Sequence, residues 1–259
     1  MIIAGRISWL IFTVISSFAM LLFLILSKKG IYDPQIRRHP GIDAIDEAVS
    51  RAVEMGRPVS YCPGGGSLYD SKYAGDTAAA LSLLGYVAKI SVEKGARLIV
   101  PIMDPTILSV AQEIVKTAYR LGDAEYIEGD TVRYLSPDSW AFGIAYAGML
   151  YDERPATSIL FGLYSAHFLL MTESGVDIGA FQIAGTTNVL TMPFAVSSCD
   201  FALLGEDEYA AAAYVDPDPV QRGVILGQDI AKVIVIILLV AGALLSTVGN
   251  NLIRNILSW

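Results

Sequence analysis

The chain has 259 residues, with 26 acidic and 18 basic side chains and a formal net charge of −8. This acidic balance excludes a nucleic-acid-binding role, because phosphate contacts need clustered Lys and Arg. Its two cysteines, Cys62 and Cys199, lack the spacing of a structural zinc site and predict reduced thiols.

Two long apolar stretches without charged residues flank the central part of the chain, at Ser8–Leu26 and Val233–Val248. A bilayer core about 30 Å thick needs ~20 helical residues. The first stretch meets this length, whereas the second must include Ile230, Ala231 and the stem of a snorkelling Lys232. We therefore predict transmembrane helices within residues 1–29 and 230–249 and lipid bilayer as a partner.

The first stretch resembles a signal peptide only in part. Its apolar core exceeds the ~7–15 residues of a signal sequence, and no small-x-small cleavage site follows it. It is therefore predicted to remain as an anchor. Basic residues near both spans lie mainly on the central side, which predicts a two-pass protein of the cytoplasmic membrane with a cytoplasmic central domain and both termini outside. These residues are Lys28, Lys29, Arg37, Arg38, Arg222 and Lys232.

Between the spans, a linker over residues 30–40 precedes a predicted domain over residues 41–229. Apolar spacing and breakers predict alternating helices and strands in this domain. The helices are expected over 42–53, 76–94, 105–121, 137–151 and 206–214, and the strands over 58–62, 97–103, 156–163, 180–183 and 201–204, with strand-like pieces in 125–135. Near-continuous apolar strands indicate a sheet covered on both faces. We predict a doubly wound, mostly parallel, Rossmann-like α/β fold.

Residues 157–172 are apolar and could form either a third span or a buried strand that leads into a core helix. Their short length and His167 favour the second interpretation. His167 is predicted to be a satisfied core residue, because no nucleophile stands beside it in a recognisable motif. The sequence thus predicts no catalytic residues, no cofactor and no metal. Enzymatic activity is not expected, although it is left open.

The first predicted strand ends in a turn that contains Gly64, Gly65, Gly66 and Ser67. Glycines let backbone N–H groups approach a phosphate. The turn matches neither G-x-G-x-x-G nor G-x-x-x-x-G-K-[ST], the two common phosphate-binding motifs. A strand-exit loop that requires positive φ is the alternative.

Three further features have both a structural and a binding interpretation. Asp104 could bind a ribose after the second strand, or could cap the next helix. Thr186 and Asn188 could line a crevice at the strand ends, or could form a polar turn. The acidic block Gly205–Tyr209 could hold Mg²⁺, or could complement a helix dipole.

Small residues recur at four-residue spacing in the second span, a pattern that lets membrane helices approach closely. This pattern predicts packing either within one chain or between chains. The residues are Ala241, Gly242, Ala243, Ser246 and Thr247. The tail over residues 250–259 has helical apolar spacing and is predicted to lie along the outer interface.

Several blocks together resemble an uncharacterised family of prokaryotic membrane proteins that place such a domain between transmembrane helices. The blocks are 182–187, 193–195, 199–207 and 209–214, with Gly227-Gln228-Asp229 before Lys232. The resemblance implies the architecture and brings no assigned activity. The family pattern has an acidic residue near the position of His167, which weakens a catalytic role there.

These observations favour a membrane-anchored cytoplasmic domain that acts as a self-associating scaffold or a structural component of a membrane complex. Homo-oligomers or other membrane-complex subunits are the expected partners. The alternative is a nucleotide- or small-ligand-binding sensor or enzyme that uses the strand ends. A third possibility is an accessory subunit of a respiratory or transport complex, which the sequence does not distinguish from the scaffold.

Overall fold

The structure is a computed structural model that describes residues 7–29, 40–70, 72–216 and 219–247. The chain divides into two compact units. One unit comprises Met1–Ile36 with Pro217–Trp259, and the other comprises Arg37–Asp216. Most of the predicted linker and the whole predicted interfacial tail lie outside the described residues.

The second unit alternates helices and strands along the chain. Its helices are α2 (Pro40–Met55), α3 (Ala74–Lys94), α4 (Pro105–Leu121), α5 (Ser139–Glu153), α6 (Phe168–Asp177), α7 (Met192–Ser198) and α8 (Glu206–Val215). Its strands are β1 (Val59–Cys62), β2 (Leu98–Ile102), β3 (Val132–Tyr134), β4 (Thr157–Phe161), β5 (Phe181–Thr186) and β6 (Phe201–Leu204). The first unit contains α1 (Ile7–Lys28) and α9 (Pro219–Thr247).

The six strands form one parallel sheet in the order β3-β2-β1-β4-β5-β6. This is the doubly wound order in which the chain adds strands first on one side of β1 and then on the other. The predicted Rossmann-like α/β fold is therefore confirmed for this unit. The segment 157–172 enters β4 and then α6, so it does not form a third span.

Helices cover both faces of the sheet, which explains why the strands are apolar on both sides. α2, α3, α4 and α8 contribute to one buried cluster, and α5, α6 and α7 contribute to another. Tyr61 and Phe161 stack in the first cluster with ring centroids 6.4 Å apart. Phe142 and Phe168 are fully buried in the second.

Local signals place several helix ends where the sequence predicts them. Asp104 accepts a hydrogen bond from Thr106 N (2.7 Å) and precedes Pro105, so α4 begins at the predicted residue. Gly95 adopts the left-handed conformation (φ 72°) that ends α3. Two differences are that β3 is much shorter than the predicted 125–135 segment and that α7 was not predicted.

In the first unit, α1 and α9 pack side by side in opposite directions. A Cβ added at Gly223 would lie 2.8 Å from Leu24 Cα, and one at Gly227 would lie 2.6 Å from Met20 Cα. The two backbones therefore touch at this Gly-x-x-x-Gly pair, because glycine has no side chain to hold them apart. α9 begins at Pro219, well before the predicted span at 230.

By length and composition, Gly227–Leu244 in α9 is a candidate membrane span. The described apolar part of α1, Thr13–Lys28, is shorter than that test requires. Of the five predicted packing residues, Ala243 and Thr247 are exposed and Ala241 and Gly242 are half-buried, while the side chain of Ser246 lies outside the described part of the structure. The close approach that the structure describes lies instead at Gly223 and Gly227, so packing at the predicted set stays a prediction.

Candidate functional site

The carboxyl ends of β1 and β4 form the switch point of the sheet, because the chain runs away from them in opposite directions. Open α/β sheets bind ligands in the crevice at such a point. The predicted site residues lie in the loops after β1 and β2, at the end of β5 and just after it, so the fold brings those residues to one edge of the sheet.

The glycine turn after β1 packs closely against the loop after β4. Gly64 has φ 76°, and a Cβ there would lie 2.8 Å from both the N and the O of Leu163. The Gly65 N–H donates to Leu163 O (2.8 Å). Positive φ and close packing therefore explain why glycines stand at 64 and 65. The Gly65 N–H, one of the amides that a phosphate would need, is already hydrogen-bonded to Leu163.

Ser67 and Asp104 meet at the start of α4. Ser67 Oγ lies 3.2 Å from Thr106 Oγ1, while Asp104 Oδ1 accepts from Thr106 N. The carboxylate of Asp104 thus caps the helix through the same residue that contacts Ser67. This pair stands at the β2 side of the switch point.

Thr186 and Asn188 belong to a hydrogen-bonded loop after β5. Thr186 Oγ1 lies 3.0 Å from Thr191 Oγ1, and Asn188 Nδ2 donates to Tyr164 O (2.7 Å). The Tyr164 hydroxyl in turn donates to Cys62 O (2.8 Å). Side chains therefore join the ends of β1, β4 and β5, and ligand binding by Thr186 and Asn188 stays a prediction.

Two buried acids lie near the same edge, at the beginnings of α3 and α8. Asp76 is 3% exposed and Glu208 is fully buried. The Tyr209 hydroxyl donates to Asp76 Oδ1. Within the described residues, neither carboxyl oxygen of Glu208 has a hydrogen-bond partner.

Burial raises the pKa of Glu208 well above its usual range, and the charge of Asp76 raises that pKa further. The backbone N–H of Gly162 lies close enough to favour the carboxylate, which partly offsets the rise. That N–H donates its hydrogen bond to Gly185 O (3.1 Å). Glu208 therefore holds a proton in the folded domain at pH values where an exposed Glu has lost it.

The acid pair can store a proton, or it can hold a positively charged group that displaces that proton. A raised carboxyl pKa is a common property of binding and catalytic sites, although structural clusters also produce it. No group of three or more His, Cys, Asp or Glu side chains suited to a metal ion occurs among the described residues.

The sequence pattern around Glu208 indicates that this side chain is buried, although the neighbouring acids Glu206 and Asp207 make the segment look like an exposed acidic block. Glu208 shares a helical face with Ala211 and Ala212, which are buried against α3 and the sheet. An acid on an otherwise small, apolar stripe is expected to face the core. Its partner Asp76 lies more than a hundred residues earlier, so no sequence spacing links the two.

His167 lies just before α6 and is 2% exposed. Its Nδ1 is 2.9 Å from Ser165 Oγ, while Nε2 has no partner in the described part of the chain. Burial lowers the pKa of His167, and the charge of Asp138 opposes this effect. The imidazole is thus a neutral core group with one nitrogen bonded and the other left unpaired.

Burial also governs the two cysteines, which are both free thiols. It raises the pKa of Cys62 to about 11 and that of Cys199 to about 12. Thiols with such pKa values are poor nucleophiles at neutral pH.

Comparison with known proteins identifies a family for nearly the whole chain. The chain belongs to the family described as domain of unknown function DUF6754, which matches residues 1–257. The predicted membership of an uncharacterised family is confirmed. No curated protein and no solved structure matches the chain.

Proposed function

We propose that this chain is a membrane-anchored α/β domain that self-associates as a scaffold or structural component of a membrane complex. The supporting observation is the apolar exterior of the pair formed by α1 and α9. Among the described residues, each helix presents seven large apolar side chains that are 37–66% exposed. They are Leu10, Val14, Ile15, Phe18, Leu21, Leu22 and Ile25 on α1, and Val233, Ile236, Ile237, Leu238, Leu239, Val240 and Leu244 on α9.

A contiguous apolar exterior of this kind is costly in water and marks a membrane or protein contact. A core helix of a soluble domain is also apolar, but its large side chains are buried within the domain. The two helices here bury mainly the strip where they touch each other. Lipid on the remaining surface, with α1 and α9 as two spans, accounts for the pattern.

The proposed orientation places the α/β unit in the cytoplasm, because Lys28 and Lys29 follow α1 on the central side. Single cysteines at Lys28→Cys and Thr247→Cys, in a chain lacking Cys62 and Cys199, test this in intact cells with a membrane-impermeant maleimide. Labelling of the Thr247 position alone is expected. Labelling of both positions, or release of the chain by alkaline extraction, contradicts the two-pass anchor.

Self-association is tested by the mass of the full chain extracted in mild detergent, measured by native mass spectrometry. A discrete homo-oligomer is expected. A monomer, or a chain found only with other subunits, contradicts the self-associating scaffold and favours the accessory-subunit alternative.

A second candidate function is the binding of a small ligand, such as a nucleotide, at the switch point. The observation that favours it is the buried pair of Asp76 and Glu208 beside the strand ends, where one carboxyl group lacks a partner among the described residues. Natural domains compensate buried acids unless a functional site requires them. Asp76 and Glu208 suit a ligand that carries a positive charge or hydrogen-bond donors.

A thermal-shift series with ATP, NAD and spermidine, each with and without Mg²⁺, tests this second function. A ligand present at a hundred times its dissociation constant stabilises the folded state by about 2.7 kcal/mol. Glu208→Gln is expected to abolish that shift, while Glu93→Gln, an exposed acid on α3, retains it. No shift with any of these compounds contradicts binding of these ligand classes.

A further inference from the structure

The contacts of Gly223 and Gly227 fix the register between α1 and α9. Gly223 lies opposite Leu24, and Gly227 lies opposite Met20. Because the helices run in opposite directions and rise equally per residue, each step forward along α9 corresponds to one step back along α1. In this register, Asp229 is at the level of Phe18 and Lys232 is at the level of Ile15.

These two charges are therefore beside the apolar middle of α1, although they precede the uncharged part of α9. Phe18, Leu21 and Ile25 are 66%, 58% and 48% exposed, and all three lie at the level of Asp229 or on the Lys28 side of it. Any bilayer that covers these side chains also covers Asp229. The candidate span Gly227–Leu244 itself contains both charged residues.

Asp229 and Lys232 form an ion pair with Nζ 3.1 Å from Oδ1, and their side chains are 57% and 45% exposed. They lie on the opposite side of α9 from Gly223 and Gly227, which are buried against α1. A shallow groove of about 410 Å³ runs beside them, lined among the described residues by Ala231, Lys232, Val235 and Ile236. The pair therefore points away from α1.

Each charged side chain at the centre of a membrane helix costs ~2.5–3.5 kcal/mol, and such residues usually face protein and pair with one another. In a single membrane-inserted chain, the exposed side of both groups faces lipid. An ammonium group has three donors, and a carboxylate accepts several hydrogen bonds. A second ion pair at the same depth replaces lipid on that side with groups of opposite charge.

We propose that the face of α9 that carries Asp229 and Lys232 is the contact surface for a second copy of this chain. The inference rests on the membrane anchor and self-association proposed above. Two copies in the same membrane orientation, related by a two-fold axis, have their ion pairs at equal depth. Each Lys232 then reaches the partner's Asp229 as well as its own, so the four charges alternate in a ring and the opposite signs match across the axis.

Charge complementation in full-length chains tests this contact. Asp229→Lys gives a chain with two positive groups, and Lys232→Asp gives a chain with two negative groups. Each variant repels its own copy, whereas in a mixture the two positive groups of one chain face the two negative groups of the other. We expect energy transfer between labelled chains in phosphatidylcholine vesicles to be strong for the natural chain, lost for either variant alone, and recovered when the two variants are mixed.

A neutral double variant, Asp229→Asn with Lys232→Gln, avoids the insertion cost of unpaired charges. It is expected to weaken association about tenfold, in line with ~1–2 kcal/mol for a polar contact between membrane helices. The matched control exchanges another helical ion pair, Lys89 and Glu93 on the solvent-exposed face of α3, with Lys89→Glu and Glu93→Lys. That exchange leaves association unchanged.

The outcomes separate this inference from the function on which it rests. If the natural chain associates and the mixture of variants does not recover what each variant loses, the ring of charges is overturned while self-association stands. If the neutral double variant associates as strongly as the natural chain, the inference is likewise overturned. A natural chain that shows no energy transfer overturns both proposals.

Discussion

Charged side chains are paired with opposite charges at one edge of the sheet, whereas at the other edge two acids lie near each other. At the amino edge, Arg97 and Arg133 both bind Asp130 and Glu153, with N···O distances of 2.6–3.1 Å. These four side chains are 20–49% exposed, so their charges are stabilised both by water and by the oppositely charged neighbours. At the carboxyl edge, the fully buried Glu208 has no described partner and has Asp76 as a charged neighbour.

The contrast shows in the pKa values. Arg133 and Arg97 hold the pKa of Asp130 below its usual range, and for Glu153 the same two arginines outweigh burial, which alone raises its pKa. For Glu208, burial and a like charge act together, and its pKa rises. The amino edge therefore contributes to stability at neutral pH, whereas the carboxyl edge reduces it. An unfavourable arrangement of this kind is expected where a site serves binding.

The largest expected effect comes from the backbone of the carboxyl edge. Gly162 has φ 114°, and a Cβ there would lie 2.5 Å from Pro63 O. Gly162→Ala is expected to destabilise the chain by about 3 kcal/mol or more, because strain and overlap add. Denaturant unfolding of the detergent-solubilised chain measures this loss.

Gly56, at the amino edge, is the matched control for Gly162. It also has positive φ (62°), but an added Cβ meets nothing within 4 Å. Gly56→Ala is expected to cost only ~1–2 kcal/mol, the usual penalty of the left-handed conformation. Equal losses at the two positions contradict the close packing of the loops after β1 and β4.

The next effect concerns the proton on Glu208. Because its pKa is higher in the folded domain than in the unfolded chain, stability is greatest below the usual pKa of 4.5 and falls as the pH rises above it. One such group produces a slope of at most about 1.4 kcal/mol per pH unit. Glu208→Gln is expected to flatten the decrease in stability between pH 5 and pH 8, as measured by denaturant unfolding.

Asp76→Asn adds a second measurement at the same site. It removes the like charge, so it is expected to reduce the slope without abolishing it. An unchanged slope in Glu208→Gln contradicts the assignment of the proton to Glu208.

The smallest effect belongs to the amino edge and has the opposite pH dependence. The pKa of Glu153 is lower in the folded domain, so its contribution is present above its usual pKa of 4.5 and is lost as the pH falls through the lowered value. Glu153→Gln is expected to cost ~1 kcal/mol at pH 7. The variant should match the natural chain in acid, where Glu153 is protonated.

Glu93→Gln serves as the control for Glu153. Glu93 pairs with Lys89 at 3.9 Å, and both side chains are mostly exposed. Exposed pairs of this kind contribute only ~0.3–0.5 kcal/mol. A loss for Glu153→Gln no larger than this contradicts a cooperative network of Arg97, Asp130, Arg133 and Glu153.

Sequence patterns predict the order of helices and strands well, because their signals are local. Asp104-Pro105 starts α4, Gly95 ends α3, and apolar runs form β2 and β4 in the expected places. α7 has seven residues and no side-chain cap, and Pro193 in its first turn is a weak signal for so short a helix. Strand order depends on contacts between distant segments, and a run of apolar residues cannot show which strand lies beside which.

The candidate site was only partly predictable for the same reason. The loops of Gly64, Asp104 and Thr186 follow from the rule that strand ends meet at one edge. The pairing of Asp76 with Glu208 depends on the contact between α3 and α8, which no spacing encodes. The register of α1 and α9 did not follow from the sequence pattern either, because Gly223 and Gly227 precede the uncharged stretch that contains the predicted packing residues.

The pairing of α1 with α9 also determines when α1 can pack during synthesis of the chain. Gly223 and Gly227 contact Leu24 and Met20, so α1 finds its partner only after the entire α/β unit has been translated. At about 5–20 residues per second, the roughly 190 intervening residues take about 10–40 s. During that interval the α1 surface around Met20 and Leu24 stays uncovered by its own chain. A nascent chain therefore differs from a finished one in exposing this surface of α1.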